Sequence, residues 1–477
     1  MKRQSGILMH ISSLYGDYSI GSFGKNALDF IDFIKDKGFS VWQVLPFTVT
    51  DEYNSPYKSV SAFGGNPYFI DLELLAKDGL ITQDELACAR QQSPWACEYK
   101  RLYDERLPLL KKAAQRFTGY DKVDEYMKEH PHIESFCRFM TLRSQNGLKP
   151  WQEWTVNKIT DESTLKLWKF VQYEFFTQWA AVKKYANEKG VSIIGDIPIY
   201  VSSDSCDVWE DPSLFQVNSK GYPERVAGVP PDYFAADGQL WGNPLYNWDA
   251  LKKTGFKWWR DRMNHTLEMF DGVRIDHFRA VESYWSVDAK EKTAKNGKWV
   301  KGPGMDFVNA IKEGHEDKLI IAEDLGDITD EVRELVDKSG FPGMRILQFA
   351  FLSDSDSWHM PHNYTQNSIA YTGTHDNNTI FGYLWECSDD ERRRMLEYCN
   401  FPGGDWGKAS PLLIRLIFAS VSNLAIIPVQ DFLMYGSDTR INKPGIADGN
   451  WSYRVTKEQL ENADGQFFRD LNRIYKR

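Results

Sequence analysis

The 477-residue chain is notable first for what it lacks. It has 6 cysteines, and no two of them form a Cys-x-x-Cys pair, so we expect reduced, mostly buried thiols of a cytoplasmic protein. No window approaches the ~18 apolar residues of a membrane span, which excludes a membrane-spanning helix. The chain has no block of Lys or Arg, and its formal net charge is −10. Both features disfavour nucleic acid as a partner.

Two further absences concern the N-terminus and cofactors. The start Met1-Lys-Arg is charged like that of a signal peptide, but no long apolar region follows it. The first apolar strand is predicted at 6–11, so we expect no additional module before it. No Gly-x-Gly-x-x-Gly follows a predicted strand, and a dinucleotide cofactor therefore has no support.

What the chain does contain is a large apolar and aromatic fraction. Hydrophobic residues make up 42% of the sequence and aromatic residues 14%, while 26% is charged and no low-complexity tract appears. This composition is sufficient for a large core. It also suits a protein that stacks the flat apolar faces of ligands such as sugar rings.

Short apolar segments alternate with helical or loop-rich stretches along the whole chain. Residues 25–37 carry the apolar face of a helix that ends at Gly38. Counting about eight such strands predicts a (β/α)8 TIM barrel, and a doubly wound open sheet is the alternative. The predicted strands are 6–11, 40–45, 191–200, 271–276, 319–323, 343–348, 368–372 and 425–430.

Insertions interrupt the regular pattern, although we expect a single barrel domain over 1–477 with no separate C-terminal β-domain. Residues 47–80 and 200–250 are rich in Gly, Pro, Asn and Ser, and long loops of this kind in compact domains are commonly functional. Residues 82–188 predict a mainly helical insertion, which opens with a capping box at Thr82 and Glu85.

The most informative strand is 271–279, Asp-Gly-Val-Arg-Ile-Asp-His-Phe-Arg. Its two-residue period directs Arg274 and Asp276 to the same side, and His277 follows where the strand ends. A carboxylate beside a guanidinium is expected to stay ionised at neutral pH. Asp276 is therefore a candidate nucleophile, metal ligand or partner in a structural ion pair.

Other acidic residues lie at comparable positions. In a TIM barrel, catalytic residues come from the C-terminal ends of different strands, where we expect Asp276, Glu323, Asp376 and Asp196 to converge. Acids near strand ends can instead be helix N-caps, or clustered carboxylates can bind Mg²⁺ or Ca²⁺. No His-x-His or Glu-x-x-His accompanies them, and Arg274 would repel a cation, so we predict no metal site.

Paired carboxylates without a metal, in an aromatic-lined cleft, indicate glycosidic chemistry. A retaining enzyme needs one ionised carboxylate as nucleophile, the role suited to Asp276, and one protonated acid, the role suited to Glu323. The pKa of Glu323 should be raised by the neighbouring charge and by water exclusion. Asp376 could bind sugar hydroxyls as the ring flattens, and His277 and His375 flank two of these acids.

Several motifs together resemble a known family. The 271–279 strand, Ala322-Glu-Asp-Leu-Gly326 and Thr374-His-Asp-Asn377 resemble three motifs of the α-amylase clan, in the same order. More specific matches are similar to the 4-α-glucanotransferases (amylomaltases, or disproportionating enzymes) of glycoside hydrolase family 77, over essentially the whole chain. These are Asn54-Ser-Pro-Tyr57, Gly65-Asn-Pro-Tyr68, Gly195-Asp-Ile-Pro-Ile-Tyr200, Gly228–Phe234, Trp241-Gly-Asn-Pro-Leu-Tyr246 and Gly449-Asn-Trp451.

The resemblance implies a specific activity and specific site residues. It implies transfer of α-1,4-glucan segments between maltooligosaccharides without a cofactor, with Asp276 as nucleophile, Glu323 as acid/base and Asp376 as transition-state stabiliser. It also implies substrate-binding roles for Tyr57, Asp196, Asp232, Trp241, Arg274, His277 and His375. An α-1,4-glucan hydrolase of the amylase type and a non-catalytic glucan-binding protein remain the alternatives.

Overall fold

The computed structural model describes residues 3–231, 236–352, 356–446 and 448–477. Within these ranges the chain forms twelve β-strands. They are β1 (Gln4–Leu8), β2 (Val41–Gln43), β3 (Ser192–Pro198), β4 (Arg225–Val229), β5 (Gln239–Pro244), β6 (Gly272–Asp276), β7 (Ser283–Asp288), β8 (Lys298–Lys301), β9 (Leu319–Ala322), β10 (Gly343–Ile346), β11 (Ser368–Tyr371) and β12 (Leu424–Pro428).

Eight of these strands close a parallel barrel in their order along the chain, from β1 through β2, β3, β6, β9, β10 and β11 to β12. The last strand pairs with the first, with Gly6 opposite Ile426. Each barrel strand overlaps one of the eight predicted from the sequence, although the bounds differ, as for β1, which was predicted at 6–11. The (β/α)8 barrel is thus confirmed, and the open-sheet alternative is wrong because the first and last strands are hydrogen-bonded to each other.

Alternate residues of the strands pack on opposite sides of the barrel wall. Ile7 and Trp42 belong to the large apolar cluster that the surrounding helices cover. Leu8 and Val41, one residue away in each strand, belong to a separate cluster enclosed by the barrel. Strands that are buried on both faces need continuous apolar runs, which is why they were visible in the sequence.

Nineteen α-helices are found in the described ranges. They are α1 (Lys25–Asp36), α2 (Leu72–Lys77), α3 (Gln83–Cys88), α4 (Tyr99–Arg101), α5 (Leu107–Arg116), α6 (Tyr120–Glu129), α7 (Pro131–Gln145), α8 (Glu162–Glu188), α9 (Cys206–Glu210), α10 (Trp248–Lys253), α11 (Lys257–Met269), α12 (Met305–Lys312), α13 (Asp330–Ser339), α14 (Ile380–Glu386), α15 (Asp389–Tyr398), α16 (Ser410–Ala419), α17 (Val429–Phe432), α18 (Lys457–Glu461) and α19 (Gly465–Tyr475). No described helix is long and apolar enough to cross a membrane.

Helices α3 to α8 fill residues 82–188, between β2 and β3. Thr82 and Glu85 form the predicted capping box at the start of α3. The 27-residue helix α8 packs against α1 and against β3 of the barrel, and the ring of its Phe175 lies 5.0 Å from that of Phe23, just before α1. Trp179 on the same helix donates a hydrogen bond to the carbonyl of Met269. The last helix of this stretch is therefore also a helix of the barrel.

The structure contains one sheet that the sequence did not predict. Strands β4 and β5, within the stretch predicted as the loop insertion 200–250, pair antiparallel with each other. Strand β4 also pairs with β7, and β7 with β8, so the sheet order is β5-β4-β7-β8. The sequence pattern of 200–250 did not indicate these strands because β4 and β5 are short and pair with a shift in register, and β4 has its second partner, β7, beyond β6.

Candidate functional site

A cleft of about 1130 Å³ opens at the C-terminal ends of the barrel strands. Eight of the ten predicted site residues line it: Tyr57, Trp241, Arg274, Asp276, His277, Glu323, His375 and Asp376. Of the other two, Asp232 lies outside the described residues. Asp196 is described, but it is fully buried and is not among the residues that line the cleft.

Arg274 joins two carboxylates from neighbouring strands. Its Nη2 lies 2.8 Å from Oδ1 of Asp276, and its Nη1 lies 2.9 and 2.7 Å from the two oxygens of Asp196. The register of β3 and β6 sets Asp196 directly opposite Arg274. The Asp276 side chain is 30% exposed whereas that of Asp196 is 0% exposed, so Asp276 faces the cleft and Asp196 holds Arg274 from below. The substrate-binding role of Asp196 stays a prediction, and the structure places its side chain beneath the cleft rather than in the lining.

Tyr57 extends this network into the loop that follows β2. Its hydroxyl donates to Oδ2 of Asp196 at 2.8 Å. Its ring stacks on His375, with centroids 5.0 Å apart and planes inclined by 10°. Through Tyr57, the loop 47–80 is thus bound to Asp196, beneath the cleft, and packs on His375, which follows β11.

Glu323 follows β9 and continues its pairing with β6. Its backbone N–H donates to the carbonyl of Ile275 at 3.2 Å, and its carbonyl accepts from the N–H of Phe278 at 3.1 Å. The side-chain oxygens accept from the backbone N–H groups of His277 at 2.6 Å and Leu325 at 2.9 Å. The two backbone bonds hold Glu323 at the end of the strand, and the two side-chain bonds orient its carboxyl group.

Burial dominates the electrostatics of Glu323. It raises the pKa of Glu323 to about 8, and the charge of Asp276 acts in the same direction, while Arg274 and the two backbone donors oppose the rise. At neutral pH the carboxyl group of Glu323 is therefore mostly protonated. The site holds a protonated acid beside an Asp paired with a guanidinium, which is the combination a retaining glycosidase requires.

His277 adopts an unusual backbone conformation immediately after Asp276. Its φ of 54° lies in the left-handed region, which non-glycine residues seldom adopt and which is found preferentially at functional sites. Its ring meets Trp241 edge to face, with centroids 4.7 Å apart. Burial lowers the pKa of His277 to about 3, so the imidazole is neutral and can donate one hydrogen bond and accept another.

Asp376 is held by residues that the sequence analysis missed. Its Oδ1 accepts from Nδ2 of Asn442 at 2.6 Å, and its Oδ2 lies 3.3 Å from Nε2 of His375. Nη2 of Arg440 donates to its backbone carbonyl at 3.0 Å. Asn442 and Arg440 lie in a loop more than sixty residues further along the chain, and no spacing pattern connects them with Asp376.

The described residues contain no cluster of metal ligands. No group of three or more His, Cys, Asp or Glu side chains in those ranges is arranged to hold a metal ion. The acids of the cleft are occupied instead by Arg274, Asn442 and backbone donors.

Comparison with protein families gives a match over most of the chain. The family model described as 4-alpha-glucanotransferase, glycoside hydrolase family 77, matches residues 9–460. A 4-alpha-glucanotransferase of Clostridium butyricum is 43% identical over 98% of this chain and 100% of its own length. One of Streptococcus pneumoniae is 43% identical over 100% of this chain and 98% of its own length.

A solved structure is similar in fold as well as in sequence. The amylomaltase from Streptococcus agalactiae, in complex with acarbose, superposes with a TM-score of 0.95 at 38% identity. The match covers 100% of both chains, so it includes the barrel, the helices between β2 and β3 and the loops above the cleft.

Proposed function

The chain belongs to the 4-alpha-glucanotransferase family, glycoside hydrolase family 77, and from this premise we propose that it transfers α-1,4-glucan segments with retention through a covalent glycosyl–aspartate. The donor is a maltooligosaccharide or amylose, and the acceptor is glucose or a maltooligosaccharide. The observation that carries this proposal is the juxtaposition of Arg274-bound Asp276 with the buried, protonated Glu323 in one cleft.

In the first step Asp276 is the nucleophile. One of its oxygens forms a bond to the anomeric carbon as the glycosidic C–O bond breaks, and the proton of Glu323 passes to the departing oxygen. The charge-assisted hydrogen bond from Arg274 orients the Asp276 carboxylate. The raised pKa of Glu323 supplies the proton at neutral pH.

In the second step Glu323 is the base. Once Asp276 is esterified it carries no charge, so its contribution to the raised pKa of Glu323 disappears while Arg274 still lowers that pKa. Glu323 can then take the proton of an acceptor hydroxyl as its oxygen attacks the anomeric carbon. The bond to Asp276 breaks, and both carboxyl groups return to their initial states.

Covering loops favour sugar over water as the acceptor. Tyr57 comes from the 47–80 insertion and Trp241 from the 200–250 insertion, and both line the cleft. Within a single catalytic domain over 1–477, we assign these insertions to glucan binding and water exclusion, and 82–188 to a mainly helical subdomain. Asp232, in the motif 228–234, is assigned to glucan binding on the family resemblance. The free cysteines suit action in the cytoplasm.

Incubation with maltotriose tests transfer against hydrolysis. We expect glucose and a ladder of shorter and longer oligosaccharides, with little net gain of reducing ends. If the net gain of reducing ends equalled the number of bonds cleaved and no longer products formed, the protein would be an α-1,4-glucan hydrolase of the amylase type instead of a transferase. The same Asp276 and Glu323 chemistry serves both reactions, so product analysis separates them.

The pH dependence should report Glu323. The free enzyme needs Glu323 protonated, and the protonated form is lost as the pH rises through a pKa of about 8. We therefore expect kcat/KM for maltotriose to fall on the alkaline side with an apparent pKa near 8. A profile that stays flat from neutral pH to pH ~10, beyond that pKa, would contradict the role of Glu323 as the acid.

Asn442 should act through Asp376, which we assign to stabilisation of the flattened sugar ring. Asn442→Ala removes the 2.6 Å hydrogen bond to Oδ1 and frees a carboxylate that is 43% exposed. We expect kcat to fall about 10²-fold, as misplacement of a catalytic group commonly costs, with a smaller change in KM. Asn442→Gln, which keeps the amide on a longer side chain, should recover part of the rate. Equal kinetics for wild type and Asn442→Ala would show that Asn442 does not position Asp376.

A further inference from the structure

A buried carboxylate without a cation lies beside the loop 373–379, which follows β11 and carries Asp376. This is Asp431, which belongs to the short helix α17 directly after β12 and is fully buried. Asp196, an equally buried acid of the barrel, pairs with Arg274. No cation in the described ranges plays that part for Asp431. Because an unpaired buried charge is costly, the contacts that Asp431 does make have to account for it.

Asp431 joins the two ends of the 373–379 loop. Its Oδ2 accepts a hydrogen bond from the hydroxyl of Thr372, the residue before the loop. Its Oδ1 accepts from the backbone N–H of Ile380, the residue after the loop, at 2.7 Å. Both partners are fully buried. The neighbouring strands β11 and β12 run parallel, so α17 begins beside the point where the loop leaves β11.

Hydrogen bonds within the loop connect its ends to Asp376. The backbone N–H of Asp376 donates to Oγ1 of Thr374 at 3.2 Å, and the N–H of Thr374 donates to Oδ1 of Asn377 at 2.8 Å. The carbonyl of Asn378 accepts from Nε2 of the buried Gln348 at 2.6 Å. The loop is therefore a compact turn, and a shift of either end would move Asp376 as well.

The contacts of Asp431 fit its ionised form. An ionised carboxylate only accepts hydrogen bonds, so its two oxygens match the two donors of Thr372 and Ile380. Protonation would add a hydrogen next to one of these donors, and one hydrogen would then lack an acceptor among these groups. Burial raises the pKa of Asp431 to about 6, while the two hydrogen bonds oppose the rise. At neutral pH the carboxyl group is mostly ionised.

No other titratable group in the described ranges contributes to this raised pKa. Helix α17 packs against β12 and β1, and Asp431 also contacts the end of β11 and the start of α14. The titratable groups on or next to these elements are His10, Tyr371, His375, Asp376, Tyr383 and Glu386. A change in the ionisation of Asp431 therefore depends on its own burial and on its two hydrogen bonds.

We propose that Asp431 is a positioning residue for catalysis, whose ionised carboxylate fixes both ends of the 373–379 loop and thereby holds Asp376 against the sugar ring. The inference rests on the proposed role of Asp376, and it applies whether the glycosyl group passes to a sugar or to water. Asp431 does not line the cleft, so the rate should depend on it more than the affinity for substrate.

The test measures maltotriose cleavage from pH ~5 to pH ~9 by wild type and by variants of both partners. Asp431→Asn removes the charge. Thr372→Val removes one hydrogen bond with little change in shape, whereas Thr372→Ser keeps the hydroxyl. Glu174→Gln is the matched control, because Glu174 is a buried acid of α8 whose pKa burial also raises to about 6, and it does not line the cleft. Thermal unfolding shows which variants are folded at the assay temperature.

We expect Asp431→Asn and Thr372→Val to lower kcat about 10- to 10²-fold at neutral pH, with a smaller change in KM. Thr372→Ser and Glu174→Gln should match wild type. The kcat of wild type should fall as the pH drops through about 6, and Asp431→Asn should lose this fall while Glu174→Gln keeps it. Protonation of the nucleophile Asp276 also lowers activity in acid, but it is common to all these proteins.

Wild-type kcat in both Asp431→Asn and Thr372→Val would overturn the positioning role. So would a lower kcat of Asp431→Asn with the acidic fall retained, because Asp431 would then act only through stability. If Asp431→Asn did not fold, equal kinetics for Thr372→Val and Thr372→Ser would overturn the role, and a lower kcat for Thr372→Val alone would support it. Absence of maltotriose cleavage by the wild type would instead overturn the proposed function.

Discussion

Asp276→Asn is expected to lower kcat for maltotriose disproportionation by about 10⁴-fold or more, the scale seen when a catalytic nucleophile is removed. The amide has nearly the shape of the carboxylate but cannot form the glycosyl ester. Arg274 loses the negative charge of its partner at Nη2, where the amide oxygen can still accept, and keeps both hydrogen bonds to Asp196. Because the pair with Asp196 remains, the fold and the affinity for glucan should both survive the substitution.

The measurement therefore has two parts, which separate chemistry from binding. Turnover of maltotriose is followed by product analysis, and affinity for maltoheptaose is followed by calorimetry on the same preparation. Asp330→Asn is the matched control, since Asp330 is a 92% exposed carboxylate at the start of α13. If Asp276→Asn left both turnover and affinity unchanged, the chain would be a glucan-binding protein whose acids have no catalytic role.

The barrel could be predicted from the sequence because of how parallel strands are buried. Each of the eight strands is covered on both faces and needs a short continuous apolar run, so each was visible locally. Barrel closure was inferred from the strand count alone, since it depends on pairing between β1 and β12, which are separated by most of the chain. The antiparallel sheet was missed for a related reason: β4 and β7 are short and pair across the intervening β6.

In the candidate site, too, contacts within one strand could be predicted from the sequence, whereas contacts between strands and loops could not. The two-residue period of β6 correctly predicted that Arg274 and Asp276 lie together, because they belong to one strand. It could not predict that Asp196 lies opposite Arg274, since the register between β3 and β6 is a property of the sheet. Asn442 and Arg440 were not identified because they contact Asp376 from a distant loop that only the fold brings into proximity.

Glu323→Gln should show a loss that depends on the leaving group. The amide has no acidic proton, and its single oxygen can accept from only one of the two backbone N–H groups that bind Glu323. Natural donors should therefore lose about 10²- to 10⁴-fold in kcat/KM. A donor with an aryl leaving group such as 4-nitrophenol needs little protonation and should lose far less. Glu331→Gln, in the first turn of α13, serves as the control of equal chemistry.

The pH profile provides a second measurement on the same Glu323→Gln variant. The alkaline fall of the wild type comes from a Glu323 proton whose pKa burial raises to about 8, so the variant should lose this fall in its residual activity. An equal loss for maltotriose and the aryl donor, with the alkaline limb retained, would assign the proton to another group. Because both readouts depend on one proton at one position, agreement between them would identify Glu323 as the acid independently of any family resemblance.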